Sequence, residues 1–205
     1  MPQTLTPLPA TPPAPHPAPR TARAARGWAL ALATTAMALI AGFFYAYACS
    51  VMIGLARVDD RTFVDTMQWI NATVRNAWFA PSFFGALVLT AVAAALQLHR
   101  DRRPVLVWIA AALVLYIGAF AVTMGVNVPL NDDLAAAGDP ETLPDPAAVR
   151  AAFEDRWVAW NTVRTLAATA ALTCLLRALV LHGRATAPGR AQVAAPSRPV
   201  PPDRR

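Results

Sequence analysis

The stretch that decides the fold runs from Pro81 to Val126 and reads PSFFGALVLTAVAAALQLHRDRRPVLVWIAAALVLYIGAFAVTMGV. Two uncharged segments, residues 81–98 and 105–126, flank the polar turn HRDRRP. A helix that crosses a bilayer needs about 20 mainly apolar residues. The stretch therefore predicts two antiparallel membrane-spanning helices joined by a tight turn.

Two more apolar segments lie outside this pair. Residues 28–56 are uncharged, and residues 163–181 contain only Arg164 and Arg177 as charged groups. Arg177 lies near one end, so its head group can reach the membrane interface. A cleaved signal sequence is a second interpretation of residues 28–56, but the apolar run is too long for one. We expect an all-α integral membrane four-helix bundle, with one membrane domain over residues 28–182 and spans at about 28–56, 81–98, 105–126 and 163–181.

Two polar connections on the opposite side from the HRDRRP turn contain helical signals. Asp59 or Asp60 can cap a short amphipathic helix with apolar residues every three to four positions. Pro129 predicts that the third span ends at residues 127–131. The pair Asp145 and Pro146 predicts the start of a helix that reaches His182 and is about 55 Å long. Its first half must lie outside a hydrocarbon core of about 30 Å.

Composition and charge define the environment of the chain. It has 205 residues, of which 56% are hydrophobic and 15% charged, so lipid must cover the apolar excess. Residues 1–27 and 183–205 are rich in Pro and Arg and are predicted to be disordered. Arginines cluster on the side of both tails and of the HRDRRP turn, which predicts cytoplasmic termini in a multi-pass protein of the plasma membrane. The arginines form no basic face with interleaved aromatics, so we expect no nucleic-acid partner.

The residues typical of metal and cofactor sites are sparse. Cys49 and Cys174 both lie in apolar segments, and no Cys/His cluster or glycine-rich nucleotide loop is present in the sequence. The histidines His16, His99 and His182 lie in a tail or on the predicted inner side. We therefore expect no metal, haem or flavin.

Polar side chains at the outer ends of the spans form the candidate site. Trp157, Asn161 and Arg164 have spacings of four and three residues, so they share one helix face. Arg164 lies one turn inside the expected boundary and needs an anionic partner, either Asp132 or Asp155 or an anionic ligand. An alternative is that the asparagines cap helices and the tryptophans anchor the interface. The other polar and aromatic residues predicted at this side are Gln68, Asn71, Asn76, Asn127, Asn131 and Trp160.

Four short motifs give the sequence a family resemblance. They are GFFYAY from Gly42, MQWIN from Met67, NVPLN from Asn127 and WVAWNTVRT from Trp157. In this order they resemble the small four-helix membrane proteins of the anthrone-oxygenase-like family, over about residues 28–182. The resemblance implies oxidation of an apolar phenolic substrate, such as an anthrone, by molecular oxygen without a cofactor.

Such chemistry removes a proton from the substrate and stabilises the resulting oxyanion. The resemblance implies catalytic roles for Arg164, Asn161, Asn127 and Asn131, which supply hydrogen-bond donors and positive charge. Substrate-binding roles then fall to Trp157, Trp160, Asn71, Gln68 and Asn76. The base is open between Asp132, Asp133, Asp155 and water. Two other functions stay open, a binding or carrier protein for a lipid-like ligand and a non-catalytic structural protein, and the sequence does not indicate an oligomeric state.

Overall fold

The computed structural model describes residues 20–186, and this part of the chain is helical without strands. The predicted disordered tails therefore lie largely outside the described residues. The α-helices are α1 (Arg20–Ala46), α2 (Met52–Leu55), α3 (Asp60–Thr73), α4 (Phe79–Ala95), α5 (Arg103–Val122), α6 (Val128–Ala136) and α7 (Pro146–Thr186). One π-helical turn (Tyr47–Val51) joins α1 to α2, and a second (Thr123–Asn127) joins α5 to α6. Short 3₁₀-helices lie at Arg100–Arg102 and at Pro140–Thr142.

Four helices, α1, α4, α5 and α7, pack side by side. Helix α1 contacts α4 and α7, and α5 contacts the same two helices from the other side. Small residues such as Ala33, Ala112 and Ala171 are fully buried between them, which lets the helix backbones approach closely. Large apolar side chains such as Val114 and Leu166 face outward, as expected for helices surrounded by lipid.

Within residues 20–186, three continuous helices are long and apolar enough to cross a membrane: Thr21–Leu55, Arg103–Ala136 and Pro146–Thr186. Helix α4 is apolar but shorter, with 17 residues. The expectation of an all-helical fold is confirmed for residues 20–186, and so is the expectation of helices long and apolar enough to cross a membrane.

The first and last helices extend further than expected at the end that carries the HRDRRP turn. Helix α1 begins at Arg20 and α7 ends at Thr186, so parts of both predicted tails are helical. The proline-rich stretch ends at Pro19, and the following residues are mostly Ala and Arg, which favour helix. The two helix ends also contact each other, because Arg23 Nη1 donates a hydrogen bond to Thr186 O over 3.5 Å.

The expectation that Pro129 breaks the helix of the third span at residues 127–131 is wrong. Helix α5 continues through the π-helical turn Thr123–Asn127 into α6 without leaving helical geometry. The wider turn is closed by a hydrogen bond from Val128 N to Thr123 O. Pro129 is the second residue of α6 and directly follows the π-helical turn, so the helix passes the proline without a break.

Helix α3 packs at the end of the bundle where α2 ends and α7 begins. We call this end of the bundle the α3 end. Its cap is Asp59, whose carboxylate accepts hydrogen bonds from the side chain and the backbone N–H of Thr62 and has a lowered pKa for this reason. Buried Phe63 and Met67 of α3 pack against α6 and α7. Asp145 caps α7 through a 3.0 Å hydrogen bond from Ala148 N, as the sequence predicts.

Candidate functional site

A cavity of about 440 Å³ lies between the helices near the α3 end of the bundle. Its walls come from α1, α3, α4, α6, α7 and the two π-helical turns. Most of the lining is aromatic or aliphatic, and the volume lies in the range of about 300 to 1,000 Å³ that is usual for small-molecule sites. Its aromatic lining residues are Phe43, Phe44, Tyr47, Phe79, Phe83, Phe84 and Trp157.

Arg164 is the deepest charged group on the cavity wall. Its side chain is 5% exposed, and its Cζ lies 4.4 Å from the ring centre of Phe44 and 5.0 Å from that of Trp157. Its Nε donates a 3.0 Å hydrogen bond to Asn161 Oδ1. Within the described residues Arg164 forms no ion pair, so neither Asp132 nor Asp155 is its partner. The guanidinium therefore faces a mainly apolar cavity, with two aromatic neighbours and no carboxylate within 4.0 Å.

Two of the predicted asparagines hold other site residues from behind the cavity wall. Asn161 is fully buried, and its Nδ2 donates a 3.3 Å hydrogen bond to the carbonyl oxygen of Phe44. Asn127 donates from Nδ2 to the carbonyl oxygen of Trp157, also over 3.3 Å. Neither asparagine lines the cavity. Asn161 thus connects α7 to α1, and Asn127 connects the second π-helical turn to α7. These bonds fix the positions of Arg164, Phe44 and Trp157.

Two other predicted asparagines, Asn71 and Asn131, line the cavity. Asn131 accepts a 2.8 Å hydrogen bond from Trp157 Nε1, which fixes the indole ring. Asn71, on α3, has a buried Nδ2 that meets no hydrogen-bond acceptor within residues 20–186. A buried amide donor without an acceptor is costly in an apolar protein. This nitrogen is closed off from the empty cavity, but the Asn71 side chain lines it, so a rotation of the amide would present the donor to a ligand oxygen.

Asp132 is the one carboxylate on the cavity wall in the described part of the chain. Its Oδ1 lies 2.9 Å from Nη2 of Arg75, and both side chains are well exposed. The pair therefore lies where the cavity meets solvent. The other two predicted base candidates, Asp133 and Asp155, do not line the cavity.

Three predicted substrate-binding residues lie elsewhere. Trp160 is partly exposed and lies outside the cavity wall. Gln68 donates from Nε2 to the carbonyl oxygens of Leu134 and Gly138, which connects α3 to the end of α6. Asn76 is part of the turn before α4, where its Oδ1 accepts from the backbone. Gln68 and Asn76 thus shape the chain around the cavity without lining it.

The sequence reasoning missed the aromatic lining contributed by α1 and α4. Phe43, Phe44 and Tyr47 belong to the GFFYAY motif, yet none of them was a candidate site residue. Their spacing of three to four residues puts them on one face of a helix, and this signal was available. The same spacing is typical of ordinary core residues, so only the tertiary structure shows that this face lines a cavity.

The arrangement suits an apolar ligand with an acidic oxygen. A cation and an amide donor can bind the oxygen, aromatic rings can pack against the ligand, and Asp132 can accept a proton. No group of three or more His, Cys, Asp or Glu side chains comes together in the described part of the chain.

Comparison with known proteins gives one finding. A family model described as anthrone oxygenase matches residues 69–174, just over half of the chain. The matched range includes the cavity residues of α3 to α6 together with Trp157 and Arg164. No curated protein and no solved structure matches the chain.

Proposed function

Because this chain belongs to the anthrone oxygenase family, we propose that it oxidises an anthrone-like phenolic substrate with molecular oxygen in the cavity lined by Arg164. The observation that carries the proposal is the buried guanidinium, which faces an aromatic cavity and has no carboxylate partner in the described residues. An unpaired buried cation attracts an anion, and the ionised form of an anthrone is an aromatic oxyanion.

The overall reaction is that anthrone and O₂ give anthraquinone and water. Loss of a proton from the ring CH₂ group gives an anion whose charge rests largely on the oxygen across the ring. One electron passes to O₂, and the two radicals combine to form a carbon–oxygen bond. After protonation this is a hydroperoxide. Loss of the second C–H proton with cleavage of the O–O bond then releases water and forms the new carbonyl group.

The residues of the chain have distinct roles in this proposal. Arg164 holds the oxyanion, and Asn161 positions Arg164 through the 3.0 Å hydrogen bond. Asp132, on the wall formed by α6, removes the proton from the carbon across the ring. Phe44 and Trp157 pack on both the guanidinium and the substrate. Asn71 donates to a second substrate oxygen.

We also propose that the chain crosses the membrane four times, with both termini in the cytoplasm and the cavity on the outer side of the plasma membrane. Helix α4 packs beside α1 and α5 and is uncharged, so it suits lipid although it is shorter than the other three. The arginines of α1 and of the turn before α5 lie at one end of the bundle, which supports a cytoplasmic location for that end.

The test uses purified protein in proteoliposomes with anthrone as substrate. Oxygen uptake and anthraquinone formation are measured together and compared with protein-free liposomes. We expect equal amounts of oxygen used and quinone formed. Arg164→Gln replaces the cation by a shorter, neutral amide. We expect it to lower turnover by about 10²- to 10³-fold, the usual effect when an oxyanion loses one stabilising group.

The control is Arg177→Gln, the same change on an exposed position of the same helix. It should leave turnover unchanged. Full activity of a folded Arg164→Gln protein would remove the reason for assigning the site to this residue. Absence of any turnover by the wild type, with anthrone still bound, would favour a binding or carrier protein for a lipid-like ligand.

A further inference from the structure

We propose that a second chamber, between α1 and α4, is a binding site through which the substrate reaches the cavity directly from the bilayer. This proposal rests on the proposed function, because it takes the same apolar aromatic substrate. We call it the side chamber; it has a volume of about 390 Å³. It is lined by Leu39 and Ile40 of α1, by the C-terminal part of α3, and by Trp78 and Ser82 at the start of α4.

The side chamber opens toward the surface that lipid covers. Leu39, on its rim, is 59% exposed on α1, and Trp78 is 89% exposed just before α4. Exposed Trp at the end of an apolar helix is typical of the membrane interface. In the proposed topology, an opening next to such a residue lies beside the acyl chains near the headgroups, with the exposed polar residues Thr73 and Asn76 at its headgroup side.

One layer of side chains separates the side chamber from the cavity. Phe43, Tyr47 and Phe79 line both spaces, together with Ile70 and Val74 of the α3 end. The ring centres of Phe43 and Tyr47 are 5.0 Å apart, and those of Phe43 and Phe79 are 5.1 Å apart. Phe43 is only half-buried, so its ring is less tightly held than those of the fully buried aromatic residues. Rotation of this one ring would join the two spaces.

The charges around the two spaces suit an uncharged substrate that ionises only after passage. No residue that lines the side chamber is charged, whereas Arg75, Asp132 and Arg164 all line the cavity. A neutral anthrone is concentrated in the bilayer by its apolar rings. It can pass Phe43 without losing a hydration shell, and its anion forms only beside Arg164. The same arrangement holds the anion in the cavity, because a charged species is unfavourable in the side chamber.

The test measures how fast 1-hydroxyanthraquinone, an unreactive probe, binds to the protein in lipid nanodiscs. Its visible absorption changes when its phenol interacts with a cation, so stopped-flow absorbance follows binding. Ser82→Trp adds an indole at the rim of the side chamber. Its control is Val114→Trp, which adds the same group to an exposed position of α5. We expect association and dissociation to slow by on the order of tenfold in Ser82→Trp only, because the obstruction lies on the path in both directions.

A second variant, Phe43→Ala, removes the ring between the two spaces and should speed up both association and dissociation. Equal association rates for Ser82→Trp and Val114→Trp would overturn the side chamber as the route and leave the proposed function standing. Unchanged rates in Phe43→Ala would overturn the role of this ring in separating the spaces. If wild-type protein does not bind the probe at equilibrium, the proposed function and the side chamber are both wrong.

Discussion

At the scale of single residues, the energetics of Arg164 explain how a buried guanidinium stays charged without a carboxylate. An arginine inside a membrane helix costs about 2.5 to 3.5 kcal/mol at the centre of the span. Each cation–π contact contributes about 0.5 to 2 kcal/mol, so Phe44 and Trp157 together offset a large part of this cost. The hydrogen bond to Asn161 adds to the balance. The charge is therefore tolerated in the free protein and remains available to an anion.

Asn161→Leu tests this support. The change removes the acceptor for Arg164 Nε and the donor for Phe44 O, both of which lie in a buried region. Leaving such groups without partners costs about 1 to 3 kcal/mol. We expect a lower midpoint of thermal unfolding in detergent and weaker binding of 1-hydroxyanthraquinone. Thr162→Val, a change at the next and exposed position, should alter neither the midpoint nor the binding of the probe. Equal midpoints for the two variants would contradict the claim that Asn161 stabilises Arg164 and Phe44.

Asp132→Asn tests the proposed base. Removal of a general base lowers the rate of proton transfer by about 10²- to 10⁴-fold. Under nitrogen and in D₂O, wild-type protein should exchange the CH₂ protons of anthrone for deuterium, and the variant should not, as followed by NMR. Asp133→Asn is the control, since Asp133 is the next residue in α6 and does not line the cavity. Fast exchange in Asp132→Asn would assign proton removal to another group or to water.

At the scale of elements, the two π-helical turns shape the site. One lies in the helix that begins as α1, and the other joins α5 to α6. Each residue of an α-helix turns the chain by about 100°, and a π-helical turn inserts one extra residue. The second turn therefore sets which face of α6 meets the cavity. Asn131 and Asp132 line the cavity because of this rotation, and such turns are frequent at functional sites.

Deletion of Gly125 tests the effect of the second π-helical turn. Without the extra residue, the turn should become α-helical and rotate α6 by about 100°. Asp132 and Asn131 should then leave the cavity, and buried Leu134 should leave its place in the core. We expect loss of probe binding and a lower thermal midpoint, with helical content by circular dichroism retained. Gly125→Ala is the control, because a Cβ at this position meets no atom within 4 Å. Probe binding by the deletion variant would show that the extra residue is unnecessary.

At the scale of the whole molecule, the long helix α7 links the membrane domain to the site. It packs against α1 and α5 through small buried residues along most of its length. Its first turns lie beyond these helices, where Phe153 and Trp157 pack with α3 and α6. Arg150 there donates to the carbonyl oxygen of Val58 and pairs with Asp60 at 3.1 Å. The same helix therefore carries Arg164 inside the bundle and holds α3 over the cavity.

The proposed topology predicts the result of reporter fusions. Fusions at the amino terminus, near Arg102 and at the carboxyl terminus should report the cytoplasm. Fusions near Asp60 and Gly138 should report the exterior, because the turns there carry acidic residues and few arginines. An exterior carboxyl terminus would mean an odd number of spans and would contradict the four crossings.

The helical class, the apolar segments and the cap of the last helix follow from the amino-acid sequence alone. Long uncharged runs leave few structures other than membrane helices, since every backbone polar group must be paired within lipid. Local signals sufficed at Asp145 and limited the other cap to Asp59 or Asp60, because a cap depends only on residues within one turn; the structure shows that it is Asp59. The placement of Trp157, Asn161 and Arg164 on one helix face followed from spacing alone.

Only the tertiary structure decided what lies opposite these residues. Phe44 comes from α1, more than a hundred positions from Arg164, and no local pattern distinguishes a ring that stacks on a guanidinium from one in a core. Pro129 was taken to end a helix because the sequence cannot show that a preceding π-helical turn accommodates it. All four candidate residues of this kind are asparagines, but only Asn71 and Asn131 line the cavity. Asn127 and Asn161 lie behind the cavity wall. Which side of a wall an amide occupies depends on how the helices rotate against one another, and that rotation is set by packing across the whole bundle.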